Sequence, residues 1–137
     1  MSAVDIAVAR LKVEEGFRAK KYPDPRGFET IGYGFNVDAG ISPYAAGALL
    51  TAQSVEAADA LSKYWWWASL DDVRASVLVD LVINDGLAGL LHFPKMLAAI
   101  GAKDWTTAQA ELMNSEAAAE LPVRYAALGQ ILLSGVA

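Results

Sequence analysis

The chain contains no cysteine. This excludes a disulfide framework and any thiolate-held metal, and it suits a protein made in a reducing compartment. Long apolar runs are missing too. No uninterrupted stretch approaches the roughly 18 residues that a membrane span requires, so stable membrane insertion is not expected. Charges are spread through residues 2–15, which sets that segment apart from a secretory leader. Histidine occurs once, at His92; with no second ligand in view it reads as structural, not catalytic or metal-binding. Positive charge is in short supply: 11 Lys and Arg face 16 Asp and Glu, a net charge of −5. That balance argues against nucleic acid as a partner.

The deficit is uneven. Residues 1–30 hold six Lys and Arg against five acids, a balance of +1, and residues 31–137 hold five against eleven, a balance of −6. Arg18, Lys20, Lys21 and Arg26 form a local basic patch. Such a patch is either simply solvated or draws an anionic polymer. With 137 residues, 55% of them hydrophobic and 20% charged, the chain is long enough for one globular domain with a core and too short for two independent ones.

Three polar residues stand out between positions 15 and 34. On a helix over residues 2–15, Val4, Val8, Leu11 and Glu15 fall on one stripe. A carboxyl on an apolar stripe loses hydration, which favours its proton-bearing form. That is the state a general acid needs. Gly16 fits a left-handed stop just past the helix end. Asp24-Pro25-Arg26-Gly27 suits a type I turn, with Asp24 accepting hydrogen bonds from its own turn. The same residue also reads as a carboxylate kept ionised in a polar setting, so that two carboxyls divide acid and base duties. Beyond the turn, Phe28, Thr30, Gly32 and Gly34 are expected on one strand face, whose glycines leave room for a ligand or another backbone.

The order Glu-Gly, Tyr-x-Asp, Gly-x-x-Thr-Ile-Gly-x-Gly, carried by Glu15 to Gly34, resembles the signature of the bacteriophage-type lysozymes, glycoside hydrolase family 24. Glu15 is followed nine residues later by Asp24 and six further on by Thr30, as in that pattern. The resemblance implies an α+β, predominantly α, lysozyme-like fold: a small strand-containing lobe over about 14–63, and a helical lobe over about 64–137 with helix 2–15 packed on it. A long helix joins the two. It implies hydrolysis of the β-1,4 bond between N-acetylmuramic acid and N-acetylglucosamine in peptidoglycan, with no metal and no organic cofactor. In that scheme Glu15 protonates the leaving oxygen, while Asp24 and Thr30 hold water on the opposite face of the sugar. That is inversion, for which the carboxyls lie roughly 6.5–9.5 Å apart. Tyr22, Gly32, Tyr33, Asn84 and Arg124 are the substrate-binding candidates. The expected partner is the peptidoglycan glycan strand, with the protein a monomer. It is expected to wait in the host bacterial cytoplasm for a holin, or to travel with the virion, before reaching the cell wall or periplasm. The alternatives are a non-hydrolytic lytic transglycosylase and an inactive wall-binding or virion structural module of the same fold.

The remaining chain reads as helices. Ser2 and Asp5 form a capping box. Ile6 and Val13 lie opposite the stripe, which predicts a first helix packed between two neighbours. Ser42-Pro43 opens a helix to about Lys63. Ser69 with Asp72 suggests a capping box for a helix through Asn84, which carries Asp80 and Asn84 on one face. Gly86 to Phe93 reads as a turn and short helix. Pro94, Asp104 and Pro122 each start a further helix. Tyr64-Trp65-Trp66-Trp67 cannot all face one way. Packing in the core or between lobes is the favoured reading over sugar stacking on exposed rings.

Overall fold

The computed structural model describes residues 1–137. About two-thirds of them are helical, and the only sheet has three antiparallel strands. The elements are α1 (Ala3–Glu15), β1 (Arg18–Pro23), β2 (Glu29–Gly32), β3 (Phe35–Asn36), α2 (Pro43–Leu61), a 3-10 turn (Trp65–Ser69), α3 (Asp72–Leu91), α4 (Pro94–Gly101), α5 (Trp105–Met113), α6 (Glu116–Glu120) and α7 (Pro122–Ser134). This is the expected α+β, predominantly α architecture. The chain divides into two compact units, Met1–Ala48 and Leu49–Ala137, and α2 carries the backbone from one to the other.

In the first unit, the Ser2 hydroxyl accepts from the Asp5 amide and Asp5 returns a bond to the Ser2 amide, so the capping box starts α1 as expected. None of the α1 residues is buried. Val4, Val8 and Leu11 are all accessible, so the stripe does not bury Glu15, which is itself exposed. Gly16 ends the helix at φ 68° but with ψ 163°, so the chain leaves in an extended direction instead of the left-handed turn expected. It has to, because β1 begins two residues later. The sheet order is β1-β2-β3, with Tyr22 opposite Thr30 and Thr30 opposite Asn36. Gly32 and Gly34 have φ of 68° and 79°. They turn the chain between β2 and β3, so the long strand face predicted through Gly34 stops at Gly32.

The second unit contains the hydrophobic core. Leu61, Leu78, Leu81, Leu90, Met96, Ile100, Leu112 and Leu132 are fully buried, drawn from α2, α3, α4, α5 and α7. Helix α3 is capped by Asp71, whose side chain accepts from the Arg74 amide, and not by Ser69. Ser69 instead donates to the Gly101 carbonyl at 3.2 Å. The first helical stretch of α3 stops at Gly86, which takes a non-helical φ of 76° and ψ of 164°, and a short helical stretch follows to Leu91, as the expected turn and short helix require. Asp104 caps α5 and Pro122 opens α7 as expected. Helix α6, not anticipated from the sequence, is capped by Ser115, whose side chain accepts from the Ala118 amide. No single helix is long and apolar enough to cross a membrane.

Candidate active site in the strand-bearing unit

Glu15 closes α1, and its carboxylate lies against the glycine turn of the hairpin. A Cβ placed on Gly34 would stand 2.6 Å from Glu15 Oε2, inside contact distance. Only glycine serves there, for two reasons: the positive φ and the carboxylate beside it.

Asp24 sits in the turn after β1. Gly27 N–H donates to its carbonyl at 2.9 Å, which completes the expected tight turn. Arg26 N–H and Phe28 N–H donate to Asp24 Oδ1 at 2.8 and 2.9 Å. Two backbone donors hold one oxygen in place, and Oδ2 keeps no protein donor. The structural and chemical readings of Asp24 are therefore compatible: one oxygen builds the turn and the other remains to accept from a ligand.

Thr30 is the only buried polar residue of the strand-bearing unit. Its hydroxyl donates to the Phe28 carbonyl at 3.0 Å, which leaves the lone pairs of Oγ1 as acceptors. The same carbonyl accepts from Asp24 N–H at 2.8 Å. The Phe28 backbone thus ties the turn carboxylate and the strand hydroxyl together through three hydrogen bonds. Nothing in the sequence pointed to Phe28; its contribution is a carbonyl and an amide that any residue carries.

Around these groups, Tyr22 is half-buried opposite Thr30, with the Arg18 guanidinium 4.4 Å from its ring centroid. Tyr33, at the hairpin turn, meets Phe17 at 5.5 Å between centroids and carries Lys12 at 5.7 Å over its ring. Gly32 faces the Phe35 ring. Glu15, Asp24, Thr30, Tyr22, Gly32 and Tyr33 therefore all belong to the unit built on the small sheet. Of the basic patch, Lys21 lies 3.9 Å from Glu29, and all four cations are exposed.

The other two candidates belong to the helical unit and already have partners. Arg124 makes a 2.6 Å ion pair with Asp80, which answers what Asp80 is for. The Asn84 amide donates to Asp85 at 3.0 Å and to the Tyr125 hydroxyl at 3.4 Å. Tyr125 in turn donates to Asp85 at 2.5 Å. Burial first, and Asp85 second, push the Tyr125 hydroxyl up to about 12. A groove of about 650 Å3 opens beside this network, lined among others by Asp85, His92, Lys95, Glu111 and Glu116. His92 therefore lies at a surface groove. No cluster of His, Cys, Asp and Glu side chains is placed to hold a metal ion.

A small antiparallel sheet carrying a helix-end glutamate and a turn aspartate, linked through one long helix to an all-helical unit, defines a lysozyme-like protein. The phage lysozyme family model matches residues 12–124, a span that includes all eight candidate residues, and the chain belongs to that family. It is a phage-type lysozyme, and the family's activity is peptidoglycan hydrolysis. No curated protein matches the chain.

Proposed function

We propose that the protein is an N-acetylmuramidase that cleaves the β-1,4 bond between N-acetylmuramic acid and N-acetylglucosamine with inversion, serving host cell lysis. Glu15 gives its proton to the departing glycosidic oxygen. Asp24 Oδ2 and Thr30 Oγ1 accept from one water and direct its oxygen at the anomeric carbon from the opposite face. Asp24 takes up the water's proton and balances positive charge on the ring in the transition state. Tyr22, Gly32, Tyr33, Asn84 and Arg124 contact the glycan. Arg124 and Asn84 do so from fixed positions, because Asp80, Asp85 and Tyr125 hold them. The protein acts as a monomer on walls reached from the host cytoplasm, and depends on a holin for passage.

The observation that carries this reading is the division of labour at Asp24. One oxygen is spent on two backbone amides, and the other has no donor within the protein. A lyase that closes an anhydro sugar uses one acid and has no use for a positioned water, so this arrangement favours hydrolysis. Product analysis on defined peptidoglycan tests it. Mass spectrometry should show reducing N-acetylmuramic acid ends, and proton NMR taken before mutarotation should show the α-anomer first. Anhydro ends would make the protein a lyase; a β-anomer would make it a retaining enzyme.

A further inference from the structure

Four tryptophans occur in the chain, and three have a structural occupation. Trp66 is buried and stacks on Tyr64 with centroids 5.0 Å apart. Trp105 carries the Arg74 guanidinium at 4.2 Å. Trp67 is half-buried and packs against the core. Trp65 differs. It is 69% exposed, yet its ring has a seat in the fold. The six-membered part of the indole lies on Gly101 at the end of α4, so closely that a Cβ on Gly101 would overlap it. The turn that presents it is fastened just beyond it, by the burial of Trp66 and by the bond from Ser69 to the Gly101 carbonyl. The result is a flat apolar face, seated on backbone and turned to water.

We infer that Trp65 is a second glycan-binding platform, remote in sequence from Glu15 and Asp24, that takes the apolar face of one N-acetylated pyranose ring of a peptidoglycan strand. The inference rests on the peptidoglycan reading above. An indole offers large contact area at small conformational cost, and a seat on Gly101 lowers that cost further. The surroundings favour a sugar over a second copy of the chain. Ser62, Lys63, Ala68, Ala102 and Lys103 are exposed, and all are small, polar or charged. One ring among them falls far short of the roughly 800 Å2 per partner of a stable dimer. Lys103, two residues past Gly101, is in no ion pair, a fitting neighbour for the carboxylates of the strand. On a polymer, a weak second contact adds avidity because the strand is already held elsewhere.

The test uses the full chain made inactive by Glu15→Gln, with binding to purified sacculi measured by co-sedimentation. Adding Trp65→Ala should weaken binding roughly tenfold, and Trp65→Phe by two- to threefold, as expected for truncating an aromatic anchor. Trp65→Phe also serves if the alanine variant fails to fold. The N-acetylglucosamine tetramer should blue-shift indole emission in the Glu15→Gln protein and not in its Trp65→Phe derivative. Unchanged sacculus binding in both Trp65 variants would overturn the inference, as would a native dimer that Trp65→Ala dissolves. The two readings fail separately. Wall hydrolysis with Trp65-independent binding sinks only the platform, and Trp65-dependent binding without hydrolysis by the native protein sinks only the enzyme.

Discussion

At the scale of single residues, the two oxygens of Asp24 have different partners: Oδ1 holds the turn and Oδ2 is open to a ligand. Asp24→Asn keeps an oxygen for the Arg26 and Phe28 amides, so the fold should survive while wall lysis falls by at least a hundredfold. Asp24→Ala strands both amides and should cost a further 1–3 kcal/mol or so in urea unfolding. Equal stability in the two variants would contradict the hydrogen-bond assignment. Gly34→Ala meets both a φ of 79° and the Glu15 carboxylate. It should destabilise by about 1–2 kcal/mol and cost activity out of proportion, because the acid must move. The candidate trio of Glu15, Asp24 and Thr30 was legible in the sequence because glutamate, aspartate and threonine announce themselves by type and interval. The Phe28 carbonyl and the Glu15–Gly34 contact were not, since a backbone group has no letter and a contact across a hairpin has no spacing.

At the scale of elements, helix starts were the best-read feature. Ser2, Asp104 and Pro122 began helices where expected because capping depends on a few adjacent residues. Helix α3 starts two residues later than expected, because Ser69 and Asp71 both qualify locally as its cap. The choice was made by a distant partner, the Gly101 carbonyl. Asp71 accepts from the Arg74 amide and lies 2.7 Å from the Arg74 guanidinium. The amide bond chiefly holds its carboxyl below the ordinary value. A carboxyl lowered in the folded state stabilises above its unfolded value near 3.9, and that contribution fades as pH falls through the lower folded value. Asp71→Ala should therefore cost about 1 kcal/mol at neutral pH, and the difference from the native protein should shrink in acid below about pH 4. A difference constant from pH 7 to pH 2 would rule out the capping role. Tyr125→Phe removes the bond to Asp85 that ties α7 to α3 and should cost about 1–2 kcal/mol by urea melt. A helical pattern counts Tyr125 with the apolar residues and is blind to its hydroxyl, whose partner lies 40 residues away in α3.

At the scale of the molecule, burial is distributed very unequally. Every buried apolar side chain lies beyond residue 48, and the first unit buries only Thr30. Helical patterning predicts a sandwiched α1, which the accessible Val4, Val8 and Leu11 do not reproduce. Composition counts apolar residues but cannot say which of them find a partner. A fragment covering residues 49–137 should unfold cooperatively on its own, and one covering residues 1–48 should show no transition. Cooperative melting of the short fragment would mean that the sheet has a source of stability beyond its hydrogen bonds.

The claim on which everything else depends is that Glu15 supplies the proton. The direct measurement is lysis of purified sacculi by Glu15→Gln, with folding checked by circular dichroism and thermal melting. The account predicts a protein that melts like the native one, binds sacculi and releases no sugar. A folded Glu15→Gln protein that clears sacculi at the native rate would contradict it.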